Sequence, residues 1–402
     1  MVASKRNPRR WADRQVGRWG IFLLSICLSA YLPAFVACRR FAPLTPYTAY
    51  VVNSQSATLA AVNLADFHVT ASLGVSPNPQ RVVMRPRSRQ LYVVSANGKI
   101  SVAAFPHLHL VSTLDVGSSA RDLTFSPDGR AAYVLSASNH EVVFLDCQGE
   151  SENPPEGAIP KASFRLRLAG TPSDLALSPD GKTLLAASSS PDQITFISTG
   201  THQALGTVEV GHSPGPMVIL PDNSKVFVAD TGEEKISAAS IPARKLLSHI
   251  EIGVRPTALL LKPDGGEIFI LAASSSTMVI VDAANDDVEN PFSLGRGPVA
   301  GVFKRDSSAL YVANAGDGSV LALDVQTREV LASVHVGMEP SSLALTPDER
   351  LLVVADRAGS SLAILHADPT SSSNDRSVLI TTVPVGASPV DVVVPPFIGP
   401  AD

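Results

Sequence analysis

Short apolar strands separated by tight polar turns recur along most of this chain. Each unit reads as a glycine, a loop that often holds proline, an apolar strand, a tight turn, a second apolar strand, a polar loop and two more strands. The glycines that open the units are Gly74, Gly117, Gly170, Gly211, Gly253, Gly295, Gly337 and Gly386. Their spacings are 43, 53, 41, 42, 42, 42 and 49 residues, all near 42 once two insertions, Gln148–Ala162 and Ala367–Ser377, are removed. Four short strands at this period predict the blades of an all-β propeller.

The two ends of the repeat region complement each other. Residues 47–73 supply only the last three strands of a unit, and residues 386–394 supply only a first strand. We therefore predict a single propeller over residues 47–394, with eight four-stranded blades, the last of which is shared by the N- and C-terminal strands. Such a closure leaves no sheet edge unpaired. Seven blades is the alternative if one unit is degenerate, and residues 395–402 form a C-terminal tail.

Two motifs recur at fixed places in the units. The second strand reads Tyr50-Val-Val-Asn53 and Tyr311-Val-Ala-Asn314, and the turn before it reads Ser126-Pro-Asp-Gly129. With the Val-Gly closures of the units, these motifs resemble the YVTN-repeat family of β-propellers, and exported YncE-like bacterial proteins are the class that they resemble most. The resemblance covers about residues 47–394 and implies the fold. It does not select a function, because members include surface-layer-like proteins, periplasmic binding proteins and relatives of lactonases.

The N-terminal segment has the pattern of an export leader. Residues 1–37 are predicted to be a signal peptide, since a basic stretch with the single acid Asp13 precedes an apolar run over residues 21–37. The basic residues are Lys5, Arg6, Arg9, Arg10, Arg14 and Arg18. The whole chain has a formal net charge of −5, so removal of the leader leaves 26 Lys and Arg against 36 Asp and Glu, a net charge of about −10.

The end of the leader resembles a bacterial lipobox. Phe35-Val-Ala-Cys38 places a cysteine after a small residue, so Cys38 is the predicted lipidation site and residues 38–46 are a short tether. Plain secretion and an uncleaved anchor remain alternatives. In each case the protein is exported, to the periplasm or cell envelope, and touches a membrane only through the leader or the Cys38 anchor.

Composition excludes several propeller chemistries. Both tryptophans, Trp11 and Trp19, lie in the leader, so the tryptophan signatures of WD40 and quinoprotein blades are missing. The chain has three cysteines and no Cys-x-x-Cys or c-haem motif, and its nine histidines form no zinc signature. We therefore expect no cofactor and no metal. The acidic net charge argues against nucleic acid as a partner, and a monomer is expected.

Candidate binding residues lie in the loops that enter the first strand of each blade. In blade order these loops carry Arg81, Arg121 with Asp122, Asp174, His212, Arg255, Arg296, Glu339 and Asp391. His212, Arg255 and Arg296 belong to consecutive blades, so they predict a basic arc that could hold a carboxylate or phosphate. The predicted ligand-binding set is His212, Arg255, Arg296, Arg121, Glu339 and Asp391. The alternative is a ring of mixed charges that only keeps a hydrated channel mouth soluble.

Three functions are compatible with this pattern. The first is an exported, envelope-associated propeller that binds a partner protein, a cell-envelope polymer or a small anionic ligand without chemistry. The second is a lactonase-like or lyase-type enzyme with its site at the central channel mouth, although no catalytic motif is found. The third is an accessory subunit of a periplasmic redox system. The sequence favours the first, because it shows no catalytic constellation.

Overall fold

Every regular element in the described part of the chain is a β-strand. The computed structural model describes residues 47–148, 159–367 and 378–396. The predicted leader, Cys38, the tether and most of both insertions lie outside these residues. Nowhere in the three described ranges is there a helix long and apolar enough to cross a membrane.

The strands follow the chain in sets of four. The first three are β1 (Thr48–Asn53), β2 (Thr58–Asn63) and β3 (His68–Gly74). Blade 1 consists of β4 (Pro79–Met84), β5 (Gln90–Ser95), β6 (Lys99–Ala104) and β7 (His109–Asp115). Blade 2 consists of β8 (Ala120–Phe125), β9 (Ala131–Ser136), β10 (Glu141–Asp146) and β11 (Lys161–Arg167). Blade 3 consists of β12 (Thr171–Leu177), β13 (Thr183–Ser189), β14 (Gln193–Ser198) and β15 (Ala204–Glu209).

The next four blades continue this order. Blade 4 consists of β16 (Pro214–Ile219), β17 (Lys225–Asp230), β18 (Lys235–Ser240) and β19 (Lys245–Glu251). Blade 5 consists of β20 (Ala258–Leu261), β21 (Glu267–Ala272), β22 (Thr277–Asp282) and β23 (Phe292–Ser293). Blade 6 consists of β24 (Pro298–Phe303), β25 (Ala309–Asn314), β26 (Ser319–Asp324) and β27 (Val330–His335). Blade 7 consists of β28 (Pro340–Leu345), β29 (Leu351–Asp356), β30 (Ser361–His366) and β31 (Leu379–Pro384).

The last strand closes the ring. β32 (Pro389–Val393) pairs antiparallel with β1, with Val393 opposite Tyr50 and Val392 opposite Val51. Thus β32 and β1–β3 form blade 8. The first strand of each blade also contacts the first strand of the next, and β32 contacts both β28 and β4. The predicted eight blades and the shared closing blade are confirmed, and the seven-bladed alternative is excluded.

The apolar core lies between neighbouring blades. Tyr92 of blade 1 packs in one cluster with Leu123 of blade 2, and Phe227 of blade 4 packs with Ile268 of blade 5. The second strands are covered on both faces, as in β25, where every position is buried. Fully burying one large apolar side chain contributes about 1.5–3 kcal/mol. Apolar residues of the first three strands of each blade therefore pack the blades against one another.

The two ends of the propeller carry different loops, because consecutive strands are antiparallel. The Pro-Asp-Gly turns join first to second strands at one end, which we call the turn face. In one such turn Ser126 Oγ donates to Asp128 Oδ1 at 2.6 Å and Gly129 has a φ of 70°. The opposite end, which we call the mouth face, carries the loops that begin at Gly74 and the seven other repeat glycines. Loops from second to third strands lie at the same end.

A buried polar side chain at the end of the second strand holds the loop of the mouth face in several blades. Asp356 Oδ1 accepts hydrogen bonds from the backbone N–H groups of Met338 and Glu339, at 3.0 and 2.8 Å. The side-chain amide of Asn314 donates to the Leu294 carbonyl at 2.8 Å. We call this arrangement the strand-end latch; its members with direct bonds to the loop backbone are Ser95, Ser136, Asn314 and Asp356.

At Gly337 and Gly386 the latch explains why the repeat has a glycine. A Cβ at Gly337 would overlap the Asp356 carboxylate, and one at Gly386 would lie 2.7 Å from the Asn53 side chain. Neither glycine needs a positive φ. The requirement at these positions is therefore space for the latch side chain rather than backbone conformation.

Substitution of two repeat glycines tests this account. Gly337→Ala should lower the free energy of unfolding by about 2 kcal/mol, because the new methyl group overpacks the Asp356 latch. Gly74→Ala is the matched control, since a Cβ there meets nothing within 4 Å, and its stability should be unchanged or slightly higher. Urea unfolding followed by fluorescence measures both. Equal losses in the two variants would contradict a role for the latch.

Candidate functional site

The first strands surround the central channel, and one position in each of them forms a ring. This position lies opposite a residue one or two places before the end of the second strand: Arg81 faces Val94, Asp174 faces Ala187 and Asp391 faces Val52 across the ladder. Most of the first strands have a β-bulge just before or beside it. We call these equivalent residues the channel ring; they are Arg81, Asp122, Asp174, Pro216, Ala258, Ala300, Ser342 and Asp391.

The polar members of the channel ring contact one another across blades. Arg81 of blade 1 forms an ion pair with Asp122 of blade 2. Asp391 Oδ1 accepts a hydrogen bond from Ser342 Oγ at 2.8 Å, and its Oδ2 accepts one from the Val82 N–H at 2.9 Å. These contacts link blades 7, 8, 1 and 2 in sequence.

Asp174 continues this row of contacts toward blade 4. We call the row the polar arc; its members are Ser342, Asp391, Arg81, Asp122 and Asp174. The Oδ2 of Asp174 accepts a hydrogen bond from the Met217 N–H of the next first strand, at 2.9 Å. Burial raises the pKa of Asp174 to about 7, and the neighbouring Asp122 carboxylate raises it further, against the effects of the Met217 amide and Arg81. Asp174 therefore exchanges a proton near neutral pH, inside a channel from which it is partly accessible.

The pKa values of the other two channel-ring carboxyl groups, Asp122 and Asp391, are also raised. Burial raises the pKa of Asp122 despite the adjacent Arg81 guanidinium. Burial also raises the pKa of Asp391, against the hydrogen bonds from Val82 and Ser342. Desolvation of a carboxylate disfavours its charged form. Burial therefore shifts the pKa of all three carboxyl groups in the direction of the neutral form.

The channel ring is chemically divided into two sides. Blades 7, 8, 1, 2 and 3 contribute the five polar side chains, whereas blades 4, 5 and 6 contribute Pro216, Ala258 and Ala300. No ring carboxylate belongs to these three blades.

The predicted basic arc lies in the loops of the same three blades. His212, Arg255 and Arg296 are exposed and enter β16, β20 and β24 respectively. His212 Nδ1 lies 3.0 Å from Asp192 Oδ2, and the Arg296 N–H donates to Asp317 Oδ2 at 3.0 Å. The three basic side chains thus lie on the rim of the mouth face rather than inside the channel ring.

The remaining predicted residues divide between rim and ring. Arg121 is exposed in β8, one residue before Asp122. Glu339 pairs with Arg357 on the rim, with 3.3 Å between Nη1 and Oε1. Asp391 lies in the channel ring, and it is the one member of the predicted set found there.

Sequence reasoning did not select three of the ring residues. Arg81, Asp122 and Asp174 were read in the loop series but left out of the predicted set. The signal that could have found them is their shared place two residues after the start of the first strand, as in Pro172-Ser-Asp174 and Pro389-Val-Asp391. A comparison of the residue at this place in each blade identifies the charged members of the polar arc.

The turn face carries an open cleft between blades 5 and 6. Its volume is about 790 Å³ and its walls include Lys262, Glu267, Arg305 and Arg328. Lys262 and Arg328 both pair with Glu267, and Lys262 lies 3.2 Å from it. These two cations already have carboxylate partners, so the mouth face is the stronger candidate site. Across residues 47–148, 159–367 and 378–396, no group of three or more His, Cys, Asp or Glu is placed to hold a metal ion.

Comparison with known proteins supports the fold. A family profile described as "Lactonase, 7-bladed beta-propeller" matches residues 107–241, from the end of blade 1 into blade 4. This chain differs from that description in having eight blades. No curated protein sequence matches.

Solved structures with the same architecture have different activities. The dihydro-heme d1 dehydrogenase NirN, solved with DHE, is 15% identical with a TM-score of 0.71, covering 90% of this chain and 78% of its own. The periplasmic gluconolactonase PpgL of Pseudomonas aeruginosa is 18% identical with a TM-score of 0.57, covering 87% and 98%. The hydrazine synthase of Kuenenia stuttgartiensis is 18% identical with a TM-score of 0.57, covering 72% and 95%. At these identities the likeness establishes the fold alone: the chain is a β-propeller.

Proposed function

We propose that this chain is an exported propeller that binds a small anionic ligand, or the anionic part of a partner, on the mouth face without reacting with it. The anion lies over blades 4–6, at Arg255 and Arg296, and His212 assists when it is protonated. One observation carries the proposal. The three basic rim residues belong to the three blades whose channel-ring residues are apolar, Pro216, Ala258 and Ala300.

The division of charge matters because an anion over blades 1–3 would face Asp122 and Asp174. Over blades 4–6 it meets guanidinium groups on the rim and the small side chains of Ala258 and Ala300 below. Arginine suits carboxylates and phosphates, because its planar group donates two parallel hydrogen bonds.

Exposure limits the strength of such binding. A hydrogen bond to a charged group contributes about 1.5–3 kcal/mol when it is shielded from water. An exposed ion pair contributes about 0.2–1 kcal/mol and is weakened by salt. Because Arg255 and Arg296 are exposed, we expect modest affinity with a marked dependence on ionic strength.

Paired arginine variants test the binding site. Arg255→Ala with Arg296→Ala should weaken binding of phosphate, citrate or gluconate by at least about tenfold at low salt, which corresponds to about 1.4 kcal/mol. The control, Arg87→Ala with Arg130→Ala, removes the same charge from exposed positions on the turn face and should change affinity less than about twofold. Isothermal titration calorimetry measures both. If both double variants lose affinity equally, only the overall charge matters and the site is wrong.

A lactonase-like enzyme is the second candidate, favoured by Asp174 and by the partial match to the lactonase profile. The ionised Asp174 would accept a proton from a water molecule that attacks the lactone carbonyl carbon. Arg81 would stabilise the negative charge on the carbonyl oxygen until the ring C–O bond breaks, and the protonated Asp174 would then give its proton to the leaving ring oxygen. Both side chains belong to the polar arc and are reachable from the channel.

The rate of gluconolactone hydrolysis separates the two candidates. An enzyme of this kind should show a rate that rises with pH and levels off above about 7, as Asp174 loses its proton. Asp174→Asn should abolish that rate, whereas Asp66→Asn, an exposed outer position, should not. A pH-stat assay measures the rate above spontaneous hydrolysis. The binding proposal expects no protein-dependent rate at any pH.

Export and envelope attachment belong to the same proposal. They rest on the basic and apolar leader and on Phe35-Val-Ala-Cys38. A lipid on Cys38 would hold the propeller at the membrane through the short tether 38–46.

Processing can be followed in cells. Cys38→Ser should move the protein from the membrane to the soluble fraction or leave the leader uncleaved, because the acylated thiol is lost. Cys27→Ser, within the apolar run, is the control and should behave as the unchanged protein. Fractionation and the mass of the mature chain report the outcome. An unchanged mass and location for Cys38→Ser would remove lipidation and leave export in place.

A further inference from the structure

Two of the strand-end positions carry an aspartate, and the one in blade 4 lies in different surroundings from Asp356 in blade 7. Asp230, at the end of β17, lies opposite Pro214 in the ladder. The equivalent residues opposite Pro298 and Pro389 are Asn314 and Asn53. An aspartate therefore takes the place that asparagine holds in blades 6 and 8.

The surroundings of Asp230 do not suit an ionised carboxylate. The residue is fully buried, and its Oδ1 has no hydrogen-bond partner among the described residues. Its Oδ2 accepts one hydrogen bond, from Ser237 Oγ at 2.8 Å. By contrast, Asp356 in blade 7 accepts two backbone N–H groups on one oxygen. A buried carboxylate with so few donors is costly in its charged form.

The hydrogen-bond partners of Ser237 allow the neighbouring Asp230 to be neutral. Ser237 Oγ accepts the Gly211 N–H at 3.1 Å and also lies 2.9 Å from His249 Nδ1. The hydroxyl has one proton for two neighbours. Either it donates to Asp230 while His249 Nδ1–H donates to it, or it donates to His249 while a protonated Asp230 donates to it.

Ser237 thus connects a buried acid with an exposed imidazole, since His249 lies on the outer strand β19 and is open to solvent. Through this hydroxyl, Asp230 can gain or lose a proton without direct contact with water. The same hydroxyl holds the Gly211 N–H, one residue before His212.

We propose that Asp230 is a proton-dependent latch: its neutral form fills the position that asparagine holds in blades 6 and 8, and its ionisation, which buries a charge with few donors, loosens the loop that carries His212. The latch itself stands on the comparison between blades. Its consequence for anion binding rests on the proposed function.

The charged groups around Asp230 change its pKa, but the pKa stays above the usual value of an aspartate. Burial raises the pKa of Asp230 to about 6, against the Ser237 hydroxyl; Glu233 raises it further, and the Gly211 amide and Lys235 lower it. Glu233 also accepts the His212 N–H at 2.9 Å and pairs with Lys235.

The direction of the effect on stability follows from this shift. The folded-state pKa lies above that of an unfolded aspartate, so the neutral latch stabilises the fold in acid. That contribution is lost as the pH rises through about 6.

His212 of the same loop contacts Asp192, so the loop has an ionisable side chain of its own. Asp230→Asn, which keeps position 230 neutral, removes only the contribution of Asp230.

The test compares the melting temperatures of the unchanged chain, Asp230→Asn and Asp356→Asn between pH 5 and pH 8. Relative to the unchanged chain, Asp230→Asn should gain about 2 °C between these limits, because it keeps the neutral latch. Asp356→Asn is the matched control, since its carboxylate accepts two N–H groups, and it should show no such gain. If the difference in melting temperature between Asp230→Asn and the unchanged chain is the same at pH 5 and pH 8, the proposal is wrong.

Hydrogen exchange of the unchanged chain gives an independent measurement that needs no variant. After correction for intrinsic rates, protection of the Gly211 amide should fall from pH 5 to pH 8, whereas that of Met338 and Glu339 should not. Equal behaviour of the two loops would also overturn the latch. If the latch is present but phosphate, citrate and gluconate do not bind at any pH, the proposed function fails and the latch remains.

Discussion

The hydrogen bond between a buried polar side chain at the end of a second strand and the loop of the mouth face is the contact on which this propeller depends. Without it, the buried carbonyl or N–H groups of the loop would be unpaired, at a cost of about 1–3 kcal/mol each. Asn314 supplies a donor and Asp356 an acceptor, so different chemistry meets the same requirement. Gly337 and Gly386 have no side chain because the latch residues beside them need space.

Most of the fold could be predicted from the sequence because each blade repeats the same local pattern. Gly386 and the apolar residues after it were recognisable as a lone first strand, and its partner strands were identified at the other end of the repeat region. The channel ring was harder. Arg81 and Asp122 lie 41 residues apart and meet only because neighbouring first strands adjoin. The bulges beside them also hide which residue faces the channel.

The mouth face combines two electrostatic environments that respond differently to solvent. The rim residues Arg255 and Arg296 are exposed, so salt screens their field. Asp122, Asp174 and Asp391 are held by backbone and side-chain donors in a desolvated wall, where screening is weak and protonation is the main response. Ionic strength and pH therefore act on opposite sides of the same opening. The sequence contained both sets of charges, but only the ring geometry separates them.

The closing strand β32 affects the order in which this protein can fold. Asp391 of β32 accepts hydrogen bonds from Val82 and from Ser342, so it connects the first blade that the chain completes with the last. A chain made from its N-terminus presents β1–β3 early, yet their fourth strand arrives only with the final residues of the repeat. Until then the ring is open and β1 has an unpaired edge. A chaperone that shields this edge would therefore act before the ring closes.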